Sequence, residues 1–252
     1  MTAELTVRLV GGPTALIELG GVRLLTDPTF DPPGDHPIGT RVLTKTSGPA
    51  VPADELGPVD AVLLSHDQHP DNLDDAGRAL LAGVPLVLTT EQAARRLGGT
   101  ALALPSWQRT TVGAVAVTAV PAQHGPDGTT DLTGPVTGFV LSGDGLPTVY
   151  VSGDNASLDV VRAVVGRIGP VDVAVLFAGA ARTPLIDGYL TLTAADAAEA
   201  AQVLGARTVI PVHAEGWAHF TQGVDDLAVA YRPGAWPTGC MSSPPVRPRP
   251  CR

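Results

Sequence analysis

Aromatic residues make up only 4 % of the 252 positions, so the core has to be filled with Val, Leu, Ala and Ile. Cysteine is nearly absent: Cys240 and Cys251 both stand close to the last residue. No thiolate can therefore join a metal site formed before position 240, and a structural disulfide is not expected. Positive charge is also scarce, with 16 basic residues against 25 acidic ones and a formal charge of -9. That balance describes a soluble acidic protein. It argues against a nucleic-acid partner, since neither a basic patch nor a nucleic-acid module is visible. No apolar run reaches the roughly 18 residues of a membrane span. The opening segment carries Glu4 and Arg8 instead of the apolar core of a signal peptide. A cytoplasmic protein with no membrane partner is expected.

Glycine and proline are plentiful, 29 and 24 residues, and are scattered between short apolar runs, which indicates many turns. The chain is long enough to bury a substantial core. Segments 5–10, 14–19 and 22–26 alternate as strands and are punctuated by Gly11-Gly12-Pro13 and Gly20-Gly21, a meander of hairpins. Residues 29–58 lack a periodic pattern and read as one long loop, with His36 solvated in it. Strands are expected at 86–88, 101–104, 110–120, 136–142, 148–152, 173–176 and 207–211. Helices are expected at 73–81, 91–97, 158–168, 194–204 and 224–230. Such alternation predicts an α/β layered protein. Residues 1–238 read as one domain and the Pro-rich 239–252 as a disordered tail.

The chain is organised around residues 59–74. Val62-Leu63-Leu64 looks like the end of a buried strand, and His66, Asp67, His69, Asp71 and Asn72 follow within seven residues. Two imidazoles with two carboxylates at that density suit a divalent transition metal. A strand-to-helix corner can aim several side chains at one point. His124, Asp154 and His213 each follow a predicted strand as well. Four of the six histidines thus occupy the same kind of position.

The run His66-x-x-His69-x-Asp71-Asn72 resembles the His-x-His-x-Asp-His signature of the metallo-beta-lactamase-fold hydrolases. It carries one extra residue between the first two histidines, and Asn72 replaces the last. Thr14-Ala-Leu-Ile-Glu and Leu24-Leu-Thr-Asp-Pro resemble the branch that includes lactonases and phospholipid phosphodiesterases. The resemblance runs from about residue 5 to 220 and implies a four-layer αβ/βα sandwich of two mixed β-sheets flanked by helices. It also implies one ion on His66, His69 and His124 and a second on Asp71 and His213. Asp154 would stand between them and Asp27 would brace the site from behind. Asn72 would offer the second ion only an amide oxygen, so that ion should bind more weakly. Zn2+ is the expected metal, with Mn2+ or Fe as alternatives, at one or two ions per chain.

The chemistry such a site supports is hydrolysis. A divalent ion lowers the pKa of bound water from about 15.7 toward roughly 7, making hydroxide at neutral pH. The expected activity is attack of that hydroxide on a small-molecule ester, lactone or phosphodiester. Asp71 is the candidate to orient the water and take its proton, and His219 to protonate the leaving group. Trp107, Trp217 and Arg182 are candidates for shaping the pocket. A di-iron oxidoreductase on the same fold and a non-catalytic metal-binding protein are the alternatives.

Overall fold

The computed structural model describes residues 5–231, so the boundary at 238 and the tail 239–252 lie outside the described residues. The chain begins with an antiparallel meander of β1 (Leu5–Gly11), β2 (Thr14–Leu19) and β3 (Val22–Thr26). A separate hairpin of β4 (Gly34–Ile38) and β5 (Arg41–Lys45) follows. Then come β6 (Ala61–Leu63), α1 (Asp75–Leu81), β7 (Val87–Thr89), α2 (Glu91–Leu97) and β8 (Ala101–Ala103). These complete a six-stranded sheet in the order β1-β2-β3-β6-β7-β8, antiparallel in its first half and parallel in its second.

The rest of the chain repeats that plan. β9 (Arg109–Val112), β10 (Val115–Pro121), the single-turn α3 (Thr130–Thr133), β11 (Thr137–Ser142) and β12 (Val149–Val151) lead into α4 (Leu158–Ile168). β13 (Val173–Phe177), α5 (Ala194–Leu204), β14 (Thr208–Val212) and α6 (Val224–Ala230) complete the described residues. The second sheet runs β14-β13-β12-β11-β10-β9, again half parallel and half antiparallel.

The inner strands of both sheets are buried on both faces, which is why so many of them read as unbroken Val/Leu/Ala runs, while the outer strands β1, β8 and β9 are partly exposed. Alternate side chains go to opposite layers. Ile17, Leu24 and Leu63 of one sheet meet Val117, Phe139, Val151 and Val175 of the other. Their neighbours Leu16, Leu25 and Val62 turn outward to Leu73 and Leu81 at α1. On the opposite flank, Val140, Tyr150, Ala174 and Leu176 turn outward to Val161 and Val164 of α4 and to Ala197 and Ala201 of α5. Three apolar interfaces therefore separate four layers, as expected for the αβ/βα sandwich.

Local chemistry sets the ends of the elements. Asp74, Thr90, Ser157 and Thr193 accept backbone N–H groups at the starts of α1, α2, α4 and α5. Asp74 is that cap, so α1 begins at Asp75 and not at 73. The stretch predicted as one strand at 110–120 is two, because Gly113 turns the chain at φ 54°. The expected loop 29–58 contains the β4–β5 hairpin, closed at Gly39 with φ 59°. Its strands are short and polar, and Pro37 disguises the first of them. No helix among the described residues is long and apolar enough to cross a membrane.

Candidate metal centre

Parallel pairing brings strand ends level: Thr26 stands opposite Leu63, Val151 opposite Val175, and Phe177 opposite Val212. The residues that follow β3, β6, β12 and β14 therefore gather at one edge, where Asp27, the 66–72 corner, Asp154 and His213 stand. Open α/β sheets bind ligands at the carboxyl ends of their strands. Asp27 and His213 both hold positive φ, 22° and 55°. That is an uncommon conformation for non-glycine residues, and it tends to cluster at functional sites. His213 is kept there by donating its backbone N–H to Gly12 O at 2.7 Å, across from the other sheet's first turn.

Six side chains form two groups of three, His66 with His69 and His124, and Asp71 with Asp154 and His213; within each, one potential ligand atom per residue lies within 4.8 Å of the others. In the first group, His66 Nε2 is 2.8 Å from His69 Nδ1, and His124 Nε2 is 3.3 Å from the same atom. Far-side bonds settle two of the tautomers. His124 Nδ1 donates to the Leu190 carbonyl at 2.9 Å, which leaves Nε2 a bare lone pair. Ser65 Oγ donates to Asp27 Oδ2 at 2.5 Å and accepts from His66 Nδ1 at 2.9 Å, so His66 Nε2 is bare as well. The single proton that His69 Nδ1 can carry serves at most one of these two nitrogens well, so at least one lone pair is left facing the space between the rings, where a cation would satisfy it. Histidine ligands are typically oriented in this way by a bond at the opposite ring nitrogen.

The second group has the same character. His213 Nε2 is 3.1 Å from Asp71 Oδ2, and His213 Nδ1 is 3.6 Å from Asp154 Oδ1. Asp71 Oδ1, Asp154 Oδ2 and His213 Nδ1 are buried without a hydrogen-bond partner. Such atoms are costly unless an ion satisfies them. Asp154 faces both groups: its Oδ2 is 3.9 Å from His66 Nε2 and 3.6 Å from His124 Nε2. The donor set fits one or two divalent ions.

Electrostatics follow from burial. Burial, with His69 and His124 beside it, holds His66 well below the ordinary imidazole range, and burial beside His124 brings His69 down to about 4. Both are neutral, ligand-ready rings at neutral pH. His213 is raised, because Asp154 and Asp71 outweigh the burial that would lower it. Asp71 is held well below the carboxylate range: burial pushes it up, but His219 and His213 prevail. Burial lifts Asp27 to about 7 against the bonds from Ser65 and Asn72.

Asn72 has a second role beside the expected one: its amide oxygen Oδ1 is buried without a hydrogen-bond partner, as a ligand atom would be, while the nitrogen is engaged. Its amide nitrogen donates to Asp27 Oδ2 at 3.0 Å and to Asp154 Oδ1 at 3.2 Å, so it clamps two carboxylates. The extra residue of the motif is also accounted for. Asp67 turns away from the site to a two-pronged pair with Arg96, and Gln68 donates to the carbonyls of Thr133 and Pro135. His66 and His69 are thereby left on the same side of the corner.

The site opens into a narrow cleft, with a cavity of about 50 Å3, between His69, Asp71, His124 and His219 at the base and the β4–β5 hairpin and residues 181–190 above. His219 Nε2 is 3.0 Å from Asp71 Oδ2. Arg182 lines the cleft. Trp217 instead is buried beside Lys45 and His36, and Trp107 stacks with Arg167 away from the site. His36 is half-buried against Trp217, not solvated. Sequence reasoning passed over Ser65 and Arg41. Ser65 was open to notice as the residue between a buried strand and the first histidine. Arg41 was hidden in a segment read as loop.

Comparison with known proteins agrees with this geometry. Residues 22–214 match the model of the beta-lactamase superfamily domain. A UPF0173 metal-dependent hydrolase of Opitutus terrae is 34% identical over 214 residues, 79% of each chain. One from Pyrococcus abyssi is 31% identical over 163 residues, 63% of this chain and 68% of the relative. Among solved structures, an isothiocyanate hydrolase from Delia radicum gut bacteria superposes with a TM-score of 0.75 at 24% identity, covering 88% of this chain and 90% of that one. Fold, paired ligand groups and sequence kinship agree: the chain belongs to the beta-lactamase superfamily and is a metal-dependent hydrolase of the UPF0173 group.

Proposed function

We propose that this hydrolase cleaves a small ester, lactone or phosphodiester in the cleft above two adjacent metal positions. His66, His69 and His124 would hold one ion, and Asp71, Asp154 and His213 the other. Zn2+ suits the imidazole-carboxylate set, and Mn2+ or Fe would also be accepted. The observation that carries the reading is Asp154, which turns one oxygen toward each group. When bound, a divalent ion supplies an acidified water and polarises the substrate's carbonyl or phosphoryl oxygen.

The chain's own residues do the rest. Asp71 keeps Oδ1 free of protein donors, so it can orient the attacking water and accept its proton. His219, beside Asp71 Oδ2 and lining the cleft, is placed to hand a proton to the leaving group. The aliphatic walls exclude bulk water, which strengthens every charge interaction inside.

The test is turnover of a panel of esters, lactones, phosphodiesters and an isothiocyanate by protein loaded in turn with zinc, manganese and iron. His219→Gln should keep its metal and lose on the order of 100-fold in kcat. Oxygen consumption with no hydrolysis of any member would replace this reading with the di-iron oxidoreductase. Metal uptake without either activity would leave a binding protein.

A further inference from the structure

The cleft wall carries a cation that pairs with no carboxylate among the described residues. Arg41 opens β5 on the hairpin that roofs the site, is half-buried, and lines the same cleft as His69, Asp71, His124 and His219. Its hydrogen bond is to a neutral group: Nη1 donates to Thr183 Oγ1 at 2.7 Å. Arg23, Arg95, Arg96, Arg162, Arg182 and Arg207 each pair with an Asp or Glu; Arg8, Arg78, Arg109 and Arg167 form no ion pair among the described residues but are exposed, whereas Arg41 forms none and is half-buried. A guanidinium has five N–H donors in a fixed fork, so the Thr183 bond fixes its position and leaves most donors unused.

Thr183 belongs to the segment 181–190, which forms the facing wall, so the bond ties roof to wall directly over the site. Most of the remaining lining is aliphatic, Ile38, Leu43, Ile186 and Leu190 among it, with Thr133 and Arg182 the polar exceptions. A guanidinium with spare donors, above a base that would hold one or two divalent ions, is complemented by an anionic group between the two.

We propose that Arg41 is a specificity-determining residue that binds an anionic group of the substrate, so the preferred substrate has an aliphatic body, the bond to be cleaved, and one carboxylate or phosphate apart from it. This rests on the hydrolase reading above for the identity of the scissile bond. Arg182, opposite, is engaged by Asp187 at 3.8 Å and lies over the Tyr189 ring, so it is a weaker claimant to the same group.

The experiment compares monomethyl glutarate with dimethyl glutarate, esters that differ by one negative charge. Binding to the zinc-loaded protein is measured by calorimetry and turnover is measured separately. Wild type should bind the charged ester about tenfold more tightly or better, as a charge-assisted bond to a guanidinium provides. Arg41→Met, which keeps the aliphatic stem, should lose that preference and retain its zinc content and melting temperature. Arg41→Lys should restore part of it. Equal affinity for the two esters in wild type, or a preference that survives Arg41→Met, would overturn the proposal. Charge-selective binding without turnover would uphold the anion subsite and reject the ester-hydrolase reading, so the two can fail separately.

Discussion

Asn72 donates through one amide nitrogen to Asp27 Oδ2 and Asp154 Oδ1, 3.0 and 3.2 Å away. Two carboxylates that would repel each other in a buried site are thereby held a fixed distance apart. Asp27 in turn takes the Ser65 N–H at 2.6 Å and the Ser65 hydroxyl, and that hydroxyl fixes the His66 ring. One neutral donor thus links a residue of the first group to the carboxylate that faces both. A histidine at 72 has no equivalent fork, since a single ring nitrogen cannot donate to two acceptors as the amide does.

Asn72→His should therefore weaken the second metal position, the reverse of what its family-like sequence suggests. Loss of such supporting bonds costs about 10- to 100-fold in metal affinity. Asn72→Ala should behave alike. Calorimetric zinc titrations of the three proteins decide it, and tighter second-ion binding in Asn72→His would restore the view of Asn72 as a substitute ligand.

Much of this site was legible because ligands follow strands, and strands buried on both faces announce themselves as apolar runs. Val62-Leu63-Leu64 before His66 and Val149-Tyr150-Val151 before Asp154 are of that kind. The helices capped by Thr90, Ser157 and Thr193 have the boundaries expected of them, since a cap and a closing glycine are local signals. The β4–β5 hairpin was not legible: its pairing is short, polar and interrupted by Pro37, and it is held by distant partners. Lys45 reaches Asp74 at 2.8 Å, and Thr44 O accepts the Ala218 N–H at 2.9 Å. Nor could the sequence show that Asn72 is also a donor, its nitrogen engaged while its oxygen stays free. That depends on where Asp27 and Asp154 arrive, from positions far apart in the chain.

Gly77→Ala should destabilise the protein, although alanine in a helix interior ordinarily gains about 1 kcal/mol over glycine. A Cβ at Gly77 would lie 1.8 Å from the Pro28 carbonyl oxygen, next to Asp27. Helix α1 must then back away from the loop that carries that aspartate. A loss of about 1–3 kcal/mol is expected. Thermal denaturation reads it directly, and an unchanged or raised midpoint would show that α1 can shift freely.

The Asp67–Arg96 pair should matter to the first metal position without touching it. It holds the extra residue of the His66-x-x-His69 corner outward, and the backbone carbonyl of Asp67 also accepts from Arg78 at 3.3 Å. Arg96→Leu should reduce first-ion affinity about tenfold or more with circular dichroism unchanged. Native affinity in that variant would mean the corner holds its shape through Gln68 and Arg78 without the Asp67–Arg96 pair.

The two metal positions should answer differently to pH. A metal ligand must be deprotonated, so binding expels whatever protons the ligand carries beforehand. His66 and His69 are already neutral, with His69 at about 4, so above roughly pH 6 they have nothing to release. His213 is raised by Asp154 and Asp71 and still carries a proton where a free imidazole would have lost it. Asp27, at about 7, is part-protonated in the same range and would lose that proton as positive charge arrives nearby. Lowering the pH from about 8 to 6 fills these positions further, so the second ion has more protons to displace and its affinity must fall. The affinity of His66 and His69 for the first ion should change little over the same range. Zinc titrations at several pH values, in buffers of different ionisation enthalpy, separate the two by counting protons released per ion. In His213→Asn the steep phase should vanish and one ion should remain. Equal proton release at both ions, or a steep phase that survives His213→Asn, would show that His213 is not the proton-bearing ligand of the second position.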